Sequence, residues 1–189
     1  MQTAEKIDIR ALSREDLRDF FTEKGEQAFR GNQVYEWLWK KGAHSFEEMT
    51  NLSLDLRTLL TSRFTINHIA VDRMQRSQDG TIKNAVRLHD GYIVESVLIP
   101  TESRTTACVS SQVGCSLDCR FCATARLKRM RNLNADEIFD QVVVIDRQSR
   151  LYFDRPLSNI VFMGMGEPLM NYPNVVKAIR KITSEEALG

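Results

Sequence analysis

The chain has 189 residues, 42% hydrophobic and 27% charged, with 26 lysines and arginines against 25 acids for a net charge of +1. This composition supports a packed core under a polar surface and, at roughly 100–200 residues per domain, one large domain or two small ones. The longest apolar stretches, such as Val142–Ile145, are far too short to cross a bilayer, which excludes a membrane-spanning role, and the polar start carries no apolar run resembling a signal peptide, so a cytoplasmic location is expected.

Residues 1 to about 64 read as a small domain of three or four helices. Ser13-Arg-Glu-Asp16 opens a helix, because a serine cap followed by acids satisfies the open backbone N–H groups and the positive helix end. Val34, Trp37 and Leu38 continue an amphipathic pattern up to Gly42, and Leu52, Leu56, Leu59 and Leu60 mark a third segment. Trp37 and Trp39 are candidates to contact bases, although aromatic residues at helical spacing are more often core.

From about 65 to 100 the period changes. Asp79-Gly80 and Asp90-Gly91 are hairpin-turn signals separating strand-like runs at Ile66–Arg76, Thr81–Leu88 and Tyr92–Ile99. In the last of these, Ile93, Glu95, Val97 and Ile99 share one face. Glu95 thus falls on a largely apolar face, read either as an edge residue reaching solvent or as an acid or base with a raised pKa.

After Pro100 strands, loops and helices alternate. Thr105–Gln112 reads as a strand, and the run Gly114-Cys-Ser-Leu-Asp-Cys-Arg-Phe-Cys-Ala123 follows it. Its C-x3-C-x2-C spacing puts the thiols of Cys115, Cys119 and Cys122 in one tight loop. Three soft thiolates suit three irons of a 4Fe–4S cluster and leave the fourth iron without a protein ligand. A structural zinc site accepts similar spacing but needs four ligands. Cys108 is then the available fourth, since His44, His68 and His89 all precede the run. Arg120, Arg126, Lys128, Arg129 and Arg131 fall within twelve residues that contain no acid, read as a solvated face or as contact with phosphates. Asn134-Ala-Asp-Glu137 is a capping-box pattern opening a helix to about Ser149, with Ile138, Val142 and Ile145 on its buried stripe. Asn159–Met163 is an apolar run of the kind found in a parallel strand covered on both faces. The loop Gly164-Met-Gly-Glu-Pro168 and a last helix over about Tyr172–Thr183 complete the pattern. Repeated βα units suggest a TIM-like barrel or part of one, with both special loops at the C-terminal ends of strands.

The cysteine loop, with Phe121 before Cys122, resembles that of the radical S-adenosylmethionine (SAM) enzymes, and Gly164–Pro168 resembles their GGEP-type loop. Phe29-Arg-Gly-Asn-Gln-Val34, Trp37, Phe46-Glu-Glu-Met-Thr-Asn51, Asp79-Gly-Thr-Ile-Lys83, Glu95 to Pro100 and Cys108-Val-Ser-Ser-Gln-Val-Gly-Cys115 together resemble the RlmN/Cfr family of RNA adenosine methyltransferases. The resemblance implies an α/β protein in three parts: a helical RNA-binding domain over 1–64, an antiparallel β extension over 65–100, and the first units of a radical SAM barrel over 101–189. It implies a 4Fe–4S cluster on Cys115, Cys119 and Cys122, SAM contacts from Gly166 and Glu167, and Glu95 as proton acceptor. Cys108 matches the family's non-cluster cysteine, whose disulfide releases the methylated RNA. The implied partners are 23S rRNA, tRNA and an external flavodoxin-like electron donor.

Two features depart from the family pattern. Arg126-Leu-Lys-Arg-Met130 is more basic than the usual Gly-Phe version. The sequence ends at Gly189, and its four cysteines include no candidate for the family's C-terminal methyl-carrying cysteine, so a truncated chain, inactive alone, is expected. Three readings remain: part of an adenosine-C2 methyltransferase of 23S rRNA and tRNA, a Cfr-like C8 enzyme, or a non-catalytic metal-stabilised RNA-binding module.

Overall fold

Ser13 Oγ accepts the Asp16 N–H at 3.0 Å while the Asp16 carboxylate accepts the Ser13 N–H at 2.8 Å. This reciprocal cap opens α1 (Arg14–Glu23) in the computed structural model, which describes residues 6–185. The outer bounds expected at Met1 and Gly189 lie outside the described residues. Leu17 and Phe21 of α1 are buried against α2 (Phe29–Trp39), which contributes Val34, Leu38 and Trp39. Ser53 caps α3 (Leu54–Arg63), which buries Leu56 and Leu60. Two short strands, β1 (Ile7–Asp8) and β2 (Phe64–Thr65), pair in parallel and tie the start of this helical unit to its end. Trp39 is core, as helical spacing suggests. Trp37 stays partly exposed, donating to Asn51 Oδ1 at 2.6 Å with Lys41 Nζ 4.0 Å from its ring centre.

The second unit, residues 68–182, is built on one five-stranded sheet. The strands β3 (Ala70–Arg76), β4 (Ile82–Arg87), β5 (Ile93–Pro100) and β6 (Thr105–Cys108) pair antiparallel in that order, and β9 (Asn159–Val161) adds in parallel beside β6. Both Asp-Gly turns form, with Gly80 and Gly91 at φ of 87° and 88°, a backbone state that favours glycine. One face of the sheet buries Ile82, Val86, Val94, Leu98 and Ala107 beneath α4 (Ala135–Phe153), whose Ile138, Val142 and Ile145 face it. Two polar side chains pair there: the Asn84 and Gln148 amides exchange two hydrogen bonds at 2.9 and 2.8 Å. The α5 helix (Tyr172–Ile182) lies against α4. No helix among the described residues is long and apolar enough to cross a membrane.

Three elements differ from expectation. The strand expected over Thr105–Gln112 breaks after Cys108, and the separate pair β7 (Gln112–Val113) and β8 (Arg131–Asn132) forms beyond it. α4 continues past Ser149 to Phe153, supported by the Arg150–Asp146 pair at 2.8 Å and by Arg76 over Tyr152 and Phe153, and ends at Asp154 in the left-handed region. β9 is a half-exposed edge strand of three residues rather than one covered on both faces, because the chain turns away at Gly164, whose N–H donates to Val109 O.

A glycine-to-alanine change inside a helix ordinarily stabilises by about 1 kcal/mol. At Gly31 in α2 the sign should reverse. A Cβ there would stand 2.5 Å from the Arg18 backbone nitrogen and 2.7 Å from the Leu17 carbonyl carbon, so the α1–α2 contact must open. Gly31→Ala is expected to cost about 1–3 kcal/mol in denaturant unfolding. An unchanged or raised midpoint would show that the two helices do not need this close approach.

Candidate functional site

Gly114 starts the cysteine loop with φ of 72°, and a Cβ there would lie 2.2 Å from Lys128 O, so the two ends of the loop meet only because the side chain is absent. β7 and β8 then clamp those ends, with Gln112 opposite Asn132 and Val113 opposite Arg131, and Cys115 bridges to Lys128. Inside, the Cys122 N–H donates to Cys119 O at 3.0 Å, and a 3-10 turn over Ala123–Arg126 carries the chain back. Cys115, Cys119 and Cys122 are all half-buried free thiols. Backbone N–H groups of Ala125 and Thr124 facing the Cys122 sulfur hold its pKa below the usual thiol range.

The glycine loop sits beside it. The Met165 N–H donates to Ser110 Oγ at 2.8 Å, and Ser110 Oγ in turn donates to Glu95 O at 2.6 Å. Gly166 lies directly on Gln112, where a Cβ would be 2.4 Å from the glutamine Cβ, and the Glu167 N–H donates to Gln112 Oε1 at 2.9 Å. The Glu167 carboxylate accepts the Leu169 N–H at 3.0 Å and caps the 3-10 turn Pro168–Asn171. Two further contacts join the loops: Ser116 Oγ with Met170 Sδ at 3.4 Å, and Asn132 Nδ2 with Met170 O at 3.3 Å. The cysteine run and Gly164–Glu167, distant in sequence, are therefore neighbours at the end of β6 and β9.

Cys108 ends β6, opposite Val97 on β5 and Val161 on β9. Burial pushes its thiol pKa up, against a smaller opposing effect from the Met163 backbone. All four cysteines are free, so the expected disulfide is not present: the ladder partners of Cys108 on both sides are valines. Among the described residues, Cys108 is not gathered with two other Cys, His, Asp or Glu side chains about one metal position. Glu95 shares its face of β5 with the exposed Ile93 and Ile99, so that face is apolar as read. It is open, however, and the Glu95 carboxylate is 48% exposed and paired with Lys83 Nζ at 2.5 Å.

The basic run divides in two. Arg120, Arg126, Lys128 and Arg129 are exposed. Arg131 turns inward and grips Glu137 through two bonds of 2.7 Å while its Nε meets Asp90 at 2.6 Å. The Glu137 hydrogen bonds, outweighing burial, push the Arg131 pKa further above the ordinary arginine range. Burial works against the Asp90 carboxylate, yet hydrogen bonds from Arg131 and the Tyr92 N–H hold its pKa low. Arg131 is thus a structural cation and not a phosphate contact.

Single-ion and cluster chemistry ask different things of three thiols. With Zn–S bonds of 2.3 Å, thiolates on one tetrahedral ion stand about 3.8 Å apart. Among the described residues no three Cys, His, Asp or Glu side chains are gathered so as to hold one metal ion. A 4Fe–4S cluster takes each thiolate on its own iron, at separate corners. Three half-buried cysteines in one clamped loop fit that donor set. Sequence reading missed Ser110, Gln112, Asn132 and Asn171 as working parts. Their signal was present as polar residues, Ser110-Ser-Gln112, inside a run otherwise read as strand.

Residues 7–66 match the family described as "Ribosomal RNA large subunit methyltransferase N-terminal domain", and residues 109–187 match the "Radical SAM superfamily". The chain is 76% identical over 185 residues to "Probable dual-specificity RNA methyltransferase RlmN" of Flavobacterium psychrophilum, covering 98% of this chain and 53% of that protein. It is 44% identical to "Dual-specificity RNA methyltransferase RlmN" of Geotalea uraniireducens, covering 96% and 51%. The crystal structure of a radical SAM methyltransferase from Sphaerobacter thermophilus superposes with a TM-score of 0.82 at 37% identity, over 96% of this chain and 53% of that one. The chain spans about half the length of the curated relatives it matches.

Anaerobic reconstitution should load about four irons and four sulfides per chain. Single alanine substitutions at Cys115, Cys119 or Cys122 should each abolish loading, whereas Cys108→Ala should leave it unchanged. Stoichiometric zinc without sulfide, or equal metal loss in the Cys108 variant, would sink the assignment.

Proposed function

The chain belongs to the RlmN family, and from that premise we propose that it forms the N-terminal half of a radical SAM methyltransferase acting on C2 of an adenosine in 23S rRNA and in tRNA. The observation that carries the reading is the joining of the cysteine and glycine loops at one end of the sheet. Cys115, Cys119 and Cys122 would hold the cluster. Gly166 would let the backbone approach SAM closely, and Glu167 would take its ammonium. When bound, the cluster supplies the electron that splits the SAM sulfonium. The helical unit and the exposed Arg120, Arg126, Lys128 and Arg129 would meet RNA phosphates.

The remaining roles would fall to two side chains on one face of the sheet, Glu95 exposed and Cys108 buried. Cys108 would supply a reactive thiol, and its burial disfavours the thiolate, so a base must take its proton first. Cys108 stands opposite Val97, and Glu95 is two residues along the same face of β5. Diagonal neighbours of this kind lie roughly 7–8 Å apart, close enough for a carboxylate to approach once the Lys83 pair opens. Glu95 is therefore the available proton acceptor.

Joining this chain to the C-terminal half of the Flavobacterium psychrophilum relative gives a protein in which these roles can be read. With cluster, reductant and labelled SAM, it should place the methyl group on adenosine C2 of 23S rRNA or tRNA. Glu95→Gln should slow that transfer by about a hundredfold or more without altering iron content, as removal of a general base does. Label at C8, or no RNA methylation from a cluster-loaded protein, would overturn the assignment. Full activity in the Glu95 variant would remove its role alone.

A further inference from the structure

Gln112 has no exposed surface, yet the cysteine and glycine loops both rest on it. Its Oε1 accepts the Glu167 N–H at 2.9 Å and its Nε2 donates to Asn132 Oδ1 at 2.8 Å. The orientation is forced, because a backbone N–H can be met only by the oxygen end of the amide. Asn132 lies on β8, the strand that closes the cysteine loop, and passes the connection on to Met170 O at 3.3 Å. From above, Gly166 presses on the same side chain, with room for a hydrogen and not for a Cβ. A single glutamine therefore fixes both the lateral place and the height of Gly166-Glu167 against the loop that carries the three cysteines.

We infer that Gln112 is a positioning residue for SAM, holding the two loops at the separation that lets one SAM molecule reach the open iron and the glycine loop together. This rests on the function proposed above. No proton or electron passes through the amide. A leucine would keep most of the volume and delete both bonds, leaving a half-buried N–H at Glu167 and a carbonyl oxygen at Asn132 without this partner. A glutamate would keep the acceptor toward Glu167 but set a second oxygen against Asn132 Oδ1, restoring half of the connection.

The test compares the wild-type chain with Gln112→Leu, Gln112→Glu and Asn132→Ala after anaerobic reconstitution. Iron content, thermal melting and the SAM-induced change in the electron paramagnetic resonance signal of the reduced cluster are measured for each. Iron content should stay constant, while the SAM concentration at half-change should rise about tenfold in Gln112→Leu, as loss of the two half-buried hydrogen bonds implies. Asn132→Ala should shift it in the same direction by less, and Gln112→Glu should recover part of the loss. If Gln112→Leu does not fold, Asn132→Ala, which opens no hole in the core, decides alone. A folded, iron-loaded variant with an unchanged SAM midpoint, or iron loss in step with SAM loss, would overturn the positioning role. A wild-type chain that takes up no cluster, or whose cluster ignores SAM, would instead overturn the proposed function, and the inference with it.

Discussion

Val109, Ser110, Ser111 and Gln112 leave the sheet without leaving the interior, and the rest of the site follows from the need to satisfy their backbone. A buried peptide group left unpaired costs about 1–3 kcal/mol, so the three residues between β6 and β7, outside a regular ladder, would be prohibitive without partners. Ser110 exchanges two bonds with the Gln141 amide on α4, at 2.9 and 3.2 Å. The Ser111 and Gln112 N–H groups both donate to Met165 O, and Ser111 O accepts from the Leu133 N–H and from Asn171 Nδ2. Every one of these partners lies on α4, beside the end of the cysteine loop, or in and after the glycine loop. Satisfying the strand exit and assembling the two loops are one event.

Charge is handled in the same economical way. Glu137 is almost wholly enclosed, with 2% of its side chain exposed, and an isolated carboxylate there would be untenable. Two bonds from Arg131, one from the Asn134 N–H at 2.9 Å and His89 Nδ1 at 3.2 Å surround it. Because Arg131 also holds Asp90 in the β4–β5 turn, the network ties the hairpin to the start of α4 and to the strand closing the cysteine loop. Breaking one partner of a buried pair typically costs about 3–5 kcal/mol, since the other charge stays behind. This cluster is a better account of Arg131 than the charge run in which it sits.

Local signals were legible in the sequence and long-range ones were not. The Ser13 and Asn134 caps, the two Asp-Gly turns and the stripe of Ile138, Val142 and Ile145 each depend on residues within a turn or two of one another, and all formed as read. The break after Cys108 could not be read that way, because the residues that reward it, Gln141, Met165 and Asn171, lie tens of positions downstream. Glu95 shows the opposite limit. Period-two alternation gave its face correctly, but alternation does not say which face of a sheet is covered. The clustering of the three cysteines in one loop was legible from spacing alone, whereas the connection of that loop to Gly166 through Gln112 needed coordinates.

The four cysteines show why spacing and environment have to be read together. Counted in sequence, Cys108 is a plausible fourth ligand, seven residues before Cys115. In the fold it is fixed on β6 between two valine-bearing strands, while the other three share a loop that leaves the sheet altogether. Their environments differ in the same sense: backbone N–H groups favour the thiolate at Cys122, and burial disfavours it at Cys108. A metal ligand must be deprotonated to bind, a state that the surroundings of Cys122 favour and those of Cys108 oppose. The sheet register that keeps Cys108 on β6, outside the cysteine loop, also sets it diagonally from Glu95 on β5.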